Sequence, residues 1–174
     1  MKLKNGSELV IRRAARKDAR QLIDYLEIVR SESDYLLATP NDPTPTLEQE
    51  EKFIDNFNSS KTSVFLVGFI GDVLVCAGSI SGNSKERIAH HGNVAMSVLK
   101  DYWGMGVGTA LMHALVDFAK HTAKLEILHL GVNADNMRGI NLYKRVGFEE
   151  IGRFPKYFKI NDRYYDEILM NLCL

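Results

Sequence analysis

The chain has 174 residues, 45% hydrophobic and 25% charged, and its formal net charge is zero. A chain of this length suits one domain, residues 1–174, that buries roughly 70% of its unfolded surface without staples. Neutrality leaves no electrostatic footprint for nucleic acid, and no stretch reaches the ~20 apolar residues of a membrane span.

The N-terminal "MKLKNGSELVIRRA" lacks the apolar run of a secretion signal. Its "SELVIRRA" reads as a first strand, and Asp18 begins a helix carrying Ala19, Leu22, Ile23 and Leu26 at helical spacing. "ATPNDPTP" is a proline-rich loop. Thr46 and Gln49 then match a capping box that opens a helix through about Phe57. "SVFLVGFIGDVLVCAGSIS" reads as two strands turning at Gly71-Asp72. "IAHHGNVAMSVL" is the next strand, and Val107, Ala110, Leu111, Ala114, Leu115, Phe118 and Ala119 form a helical stripe. "LEILHLGVN" is a buried strand, and residues 137 to 146 form a helix stopped by Gly147. A last hairpin turns at Asn161-Asp162. The order β-α-α-β-β-β-α-β-α-β-β predicts one α/β domain built on a mixed sheet. Cys76 and Cys173 lack metal-ligand or CxxC spacing; both read as reduced core residues of a cytoplasmic protein, with no metal expected.

One stretch departs from ordinary helix-opening chemistry. In "DYWGMGVGTALM", Gly104, Gly106 and Gly108 occupy alternate positions directly before the apolar helix. A helix start offers unpaired N–H groups and the positive end of the dipole, and glycines let an anion approach them. That favours a phosphate ligand over a plain turn. A P-loop ends in Gly-Lys-Ser/Thr, whereas this one ends Gly108-Thr109-Ala110. A dinucleotide fingerprint needs glycine where Thr109 stands and an acidic residue ending the next strand, yet Glu126 begins it.

Together, "SVLKDYWGMGVGTALM" and "HLGVNADNMRGINLYKRVGFEEIGR" resemble the GNAT superfamily of acyl-CoA-dependent N-acyltransferases. The resemblance covers most of the chain and implies a mostly antiparallel twisted sheet flanked by helices. It also implies acetyl-CoA as donor and a primary amine, on a small molecule or a peptide, as acceptor. A homodimer is a further expectation. By the resemblance, the backbone of Ser97, Val98 and Leu99 pairs with the pantetheine arm. Trp103, Gly104, Met105, Gly106, Val107, Gly108 and Thr109 cradle the pyrophosphate. Asn136 contacts the pantetheine, and Tyr143 protonates the departing thiolate. Read alone, Asn136 is equally a helix cap and Tyr143 a half-buried core aromatic.

Three positions depart from the family pattern. Trp103 stands where Arg or Gln is frequent, and Gly139 where Ala is. Asn93 stands where many relatives carry a glutamate base, and an amide takes no proton at neutral pH. Direct transfer needs a neutral amine, and an amine of pKa ~10.4 is only about one part in two thousand neutral at pH 7. The candidate proton acceptors are His90, His91, Glu32 and a water chain held by Asn93. His90 and His91, adjacent on a strand, should point to opposite faces. Residues 27 to 55 set eight carboxylates against Arg30 and Lys52, a local charge of −6. This acidic stretch makes Glu32 and Asp34, with Asn93, the expected acceptor-binding residues for a cationic amine; the bland alternative is a solvated acidic helix face. A non-catalytic acyl-CoA-binding module is the alternative function.

Overall fold

The computed structural model describes residues 1–3 and 6–174. Its elements run β1 (Leu9–Arg13), α1 (Ala19–Glu32), α2 (Leu47–Ser59), β2 (Val64–Ile70), β3 (Val73–Gly82), β4 (His91–Val98), α3 (Val107–Asp117), β5 (Ile127–Asn133), α4 (Met137–Val146), β6 (Glu149–Ile160) and β7 (Arg163–Cys173). The seven strands form one sheet in the order β1-β2-β3-β4-β5-β7-β6. Every neighbouring pair is antiparallel except β4 and β5. The strand and helix order expected from the sequence is the order observed.

Alternation along the strands divides the sheet into two buried faces. Leu128, Leu130, Val132, Ile168 and Met170 pack with Leu111 and Leu115 of α3 and Ile140 of α4. On the opposite face, Phe65, Val67 and Ala77 pack with Leu22, Tyr25 and Val29 of α1 and Ile54 of α2. Local chemistry sets the ends of these elements. At α2, Thr46 Oγ1 accepts from the Gln49 amide at 3.2 Å, and Gln49 Oε1 accepts from the Thr46 amide at 2.8 Å. At the end of α4, Gly147 has φ +110°, a conformation open to glycine but strained for other residues. Asn161 and Asp162 both take positive φ in the β6–β7 turn, as a two-residue hairpin of the primed type requires.

Three expectations need correction. Glu86–Ile88 form a 3-10 turn, so β4 starts only at His91 and His90 lies before it. Alternation holds within extended backbone, and the His90 and His91 rings therefore sit edge to face, 4.2 Å apart, rather than on opposite faces. The α-helical part of α3 ends at Asp117; Phe118–Ala123 continue as a wider π turn that closes at Lys124, φ +54°. Cys76 is buried, but Cys173, at the last position of β7, is exposed because the sheet ends there. No described helix is long and apolar enough to cross a membrane.

Asp18 precedes α1 and ties it to β1. Its buried carboxylate accepts from Arg12 Nη1 at 2.6 Å, Arg12 Nη2 at 2.8 Å and the Ala15 amide at 2.7 Å. Hydrogen bonds from Arg12 hold its pKa below the ordinary carboxylate value. A depressed folded pKa gives stability that is present above the unfolded value, ~3.9, and is lost as pH falls through the folded one. The Arg12 side chain is 36% exposed, so losing the pair should cost less than a fully buried one, roughly 2 kcal/mol. Asp18→Asn should therefore lower the melting temperature at pH 7 by about 4–8 °C. Melting curves between pH 5 and pH 2 should converge for the variant and the parent, since acid removes the same charge from the parent.

Candidate active site

The parallel pairing of β4 with β5 is short: His91 pairs with Ile127, Gly92 with Leu128 and Asn93 with His129, and there it stops. Beyond Asn93, β4 stays paired to β3 through Val98, while β5 stays paired to β7 through Asn133. The two strands therefore splay, and a cavity of about 1610 Å³ opens along the split and reaches both faces of the sheet. That exceeds the roughly 300–1,000 Å³ of an ordinary ligand pocket and leaves room for two substrates.

The splay leaves one edge of β4 without a strand partner. The Leu99 amide donates to Val75 O on β3 at 3.0 Å. Backbone groups alternate in direction along an antiparallel strand. Ser97 and Leu99 thus turn their amides to β3, and Met96 and Val98 turn theirs to the gap. This corrects the expectation that all three of Ser97, Val98 and Leu99 present backbone there. Ser97 instead bonds through Oγ to Tyr25 Oη at 2.8 Å, and Leu99 is buried. The Val98 carbonyl already accepts from Trp103 Nε1 at 2.7 Å. A chain laid along this edge has the Val98 N–H and the Met96 amide and carbonyl to pair with.

At the end of that edge lies the glycine loop, Trp103 to Thr109. Gly104 and Gly106 have φ +77° and +95°, and a side chain on either would meet nothing within 4 Å. Conformation requires both glycines, and the space above them is open. Gly108 has a different reason: a β-carbon there would sit 2.8 Å from Leu142 of α4, so the residue lets α3 and α4 approach. The α3 N-terminus, at Val107, directs its free amides toward the same space. Arg138, in the first turn of α4, stacks its guanidinium 4.6 Å above the Trp103 ring. Trp103 therefore holds at the loop the positive charge that an Arg would carry there directly. The cavity wall includes Trp103, Gly104, Met105, Gly106, Thr109 and Arg138. Open glycines, a helix N-terminus and an anchored guanidinium fit a diphosphate.

Asn136 accepts from the Gly139 amide at 2.9 Å and so caps α4. It also lines the cavity. A β-carbon on Gly139 would lie 2.8 Å from Asn136 Nδ2, which explains glycine where relatives carry alanine. Tyr143 lies two helical turns on, half-buried against Phe148, with ring centroids 6.0 Å apart. Burial pushes its hydroxyl up to about 12, so it is a phenol at neutral pH. It lines the cavity and makes no side-chain hydrogen bond among the described residues.

Across the sheet, the α1/α2 face of the cavity carries His91 and Asn93 of β4, His129 of β5, and Glu167 and Asn171 of β7. Register places them together: Asn93 faces His129, His129 faces Asn171, and Asn133 faces Glu167. His129 is held below the ordinary histidine value by burial and then by His91, so it is neutral at pH 7. Tyr35, in the α1–α2 loop, donates to Asp135 O at 3.4 Å and bridges to the β5–α4 turn.

Five of the eight carboxylates in residues 27 to 55 already have partners within the protein. Glu32 accepts from the Lys100 amide at 2.8 Å. Asp42 takes Thr39, Glu27 takes Thr44, and Arg16 pairs with both Glu51 and Asp55. Neither Glu32 nor Asp34 is among the residues lining the cavity, whereas Asn93 is. Sequence reading overlooked Arg138, His129 and Glu167. The one available signal was Gly131, a glycine within the buried run "LEILHLGVN", which implies close approach by another group.

Comparison with known proteins agrees with this geometry. Residues 15–148 match the model of the Acetyltransferase (GNAT) family. The L-amino acid N-acetyltransferase AaaT of Escherichia coli is 26% identical over 94% of this chain and 97% of its own. An N-alpha-acetyltransferase of Sulfurisphaera tokodaii is 35% identical over 41% of this chain; the match spans 43% of that protein. Among solved structures, an acetyltransferase of the GNAT family from Streptococcus pneumoniae superposes with a TM-score of 0.93 at 27% identity, covering 96% of this chain and 100% of that one. The fold of yncA from Salmonella typhimurium, solved with its cofactor acetyl-CoA, matches with a TM-score of 0.83 at 19% identity over 95% of this chain and 94% of that one. With its split sheet, its glycine loop at the start of α3 and a family match over most of its length, the chain belongs to the GNAT family of acetyltransferases.

Proposed function

We propose that the protein transfers the acetyl group of acetyl-CoA to a primary amine by direct attack within a ternary complex. The observation that carries this reading is the through-sheet cavity at the β4–β5 split, with an anion-binding loop on one side and an open polar face on the other. When bound, acetyl-CoA supplies a thioester whose carbonyl carbon is the electrophile. The amides of the loop and Arg138 hold the diphosphate, and the gap-facing groups of Met96 and Val98 align the arm. The Val98 N–H polarises the carbonyl. Tyr143 gives its proton to sulfur as charge develops there. Its high pKa does not oppose this, because the burial that disfavours phenolate disfavours thiolate in the same place.

The amine enters from the α1/α2 face, beneath Tyr35. Relatives are named for amine acceptors of different kinds, among them an L-amino acid N-acetyltransferase and a spermidine N(1)-acetyltransferase of Vibrio cholerae, 29% identical over 40% of this chain. A screen of amino acids, polyamines and peptides with free N-termini, read by thiol release from acetyl-CoA, tests the reading. Turnover with at least one amine is expected. Tight CoA binding without turnover of any amine would replace the enzyme by a binding module.

Acetyl-CoA at 100 times its dissociation constant should stabilise the fold by about 2.7 kcal/mol, a thermal shift of roughly 5–10 °C. Arg138→Gln should weaken CoA binding about 5- to 10-fold and flatten its salt dependence, since one exposed charge contact is worth on the order of 1 kcal/mol. Gly106→Glu should abolish the shift, placing a carboxylate where the diphosphate sits. An undiminished shift in the folded Gly106→Glu protein would sink the loop assignment.

Tyr143→Phe keeps the ring and its contact with Phe148. Folding and acetyl-CoA affinity should hold while kcat falls about 10²-fold, as for a positioned acid whose interaction arises in the transition state. Full turnover by this variant would make Tyr143 a packing residue.

A further inference from the structure

Among the described residues lining the cavity there is one carboxylate, Glu167. It stands on β7 opposite Asn133, on the α1/α2 face. Its side chain reaches sideways over β5 into space vacated by Gly131, where even a methyl group would collide with Glu167 Oε1. That position lies two residues beyond His129, at the point where β5 has just parted from β4. Glu167 forms no ion pair and no side-chain hydrogen bond among the described residues, although it is half-buried. Its neighbour Asp166 contrasts with it, taking Arg153 at 3.4 Å and the Lys156 amide at 3.0 Å.

A carboxylate that lines the cavity without a protein partner is free to take a cationic ligand. We propose that Glu167 binds the ammonium group of the acceptor and takes its proton, filling the role that Asn93 cannot. The inference rests on the acetyltransferase reading above. Glu167 removes one proton from R–NH₃⁺. The freed nitrogen lone pair then forms the N–C bond as the C–S bond breaks. Tyr143 passes its phenolic proton to the thiolate and regains one from the new amide nitrogen. The proton on Glu167 leaves to water, so amide, thiol and one proton are the products.

The groups around Glu167 suit this role. His91 of β4 and His129 of β5 line the same face of the cavity, and His129 is neutral at pH 7, so it neither repels a cation nor supplies the negative charge. Asn133 and Asn171, Tyr157 and Phe158 from β6, Phe154 opposite it in register and Tyr35 from the α1–α2 loop bring no cationic side chain. Of the lining cationic side chains, Arg138 and Arg145 belong to α4, on the other face of the sheet, and Lys2 precedes β1. Burial raises the Glu167 pKa, which brings it closer to that of an amine and makes it a better base than an exposed glutamate.

Glu167→Gln keeps the shape and removes the charge. With the amine that the wild type turns over best, kcat/KM for the amine should fall about 10²-fold at pH 7, and KM for acetyl-CoA should hold. The pH profile separates proton transfer from a structural role. The wild type should reach a plateau above the Glu167 pKa and below that of the amine. The variant should instead rise tenfold per pH unit up to the amine pKa, because only free amine reacts. Calorimetry with spermidine and with a tripeptide bearing a free N-terminus, each added to the CoA complex, gives a readout without turnover. At least one should bind the wild type, and that one should bind Glu167→Gln at least tenfold more weakly. Gly131→Ala, which forces the carboxylate aside, should reproduce the loss, and an intact CoA thermal shift in both variants certifies folding. An unchanged pH profile or unchanged amine affinity in Glu167→Gln overturns the proposal, as does failure of both probes to bind the wild type. Absence of turnover in the wild type overturns the acetyltransferase reading instead, and the calorimetric result still decides whether Glu167 binds the ammonium group.

Discussion

Parallel pairing between β4 and β5 lasts for three residue pairs, and the rest of the site depends on where it ends. A parallel ladder continued past Asn93 and His129 would pair the Met96 and Val98 backbone and leave nothing for a ligand. Instead β3 holds β4 to its end, β7 holds β5 to its end, and the two halves of the sheet diverge under their own twist. Unpaired backbone is costly where water is excluded. The split therefore supplies an unfilled row of donors and acceptors that an extended, amide-containing molecule can complete.

The split also separates two kinds of electrostatics. On the α3/α4 face, the start of α3, the glycine loop and the guanidinium of Arg138 on Trp103 make a positive end. On the α1/α2 face the cavity is walled by imidazoles, carboxamides and aromatics, with Glu167 reaching over Gly131. On the proposed reading, a polyanionic donor and a cationic acceptor are sorted to opposite sides of the sheet and meet in the gap between the strands. Tyr143, rising from α4, closes the donor side with a phenol that burial keeps protonated.

Charge counted along the sequence misplaces this asymmetry. The acidic stretch of residues 27 to 55 suggests an attractive surface, yet half of its eight carboxylates cap turns or pair with Arg16. Glu32, for example, holds the Lys100 amide at the turn that leads into the glycine loop, a positioning contact between α1 and the donor side. Glu32 and Asp34 also lie outside the cavity wall, so their charge is not presented to a ligand there. Glu167, by contrast, lines the cavity and has no side-chain partner among the described residues.

Much of this protein was legible in its sequence. Apolar periods of two and 3.6, the Thr46–Gln49 box, the Gly147 stop and the Asn161-Asp162 turn each rest on neighbours within a few residues, so local chemistry sets them. The glycine loop was readable for the same reason: Gly104 and Gly106 answer to backbone conformation at a helix start. Which amides of Ser97, Val98 and Leu99 face the gap was not readable, because that depends on the register with β3. Nor was the edge-on pairing of His90 with His91, since a 3-10 turn delays the strand. Arg138 reaches Trp103 from a helix 35 residues downstream, and Glu167 reaches Gly131 from a strand 36 residues downstream. The sequence by itself determined the elements, their order and the glycine loop at the start of α3, through contacts between near neighbours. Tertiary structure alone decided which charges meet the cavity, because long-range register, not sequence spacing, brings those side chains to one face.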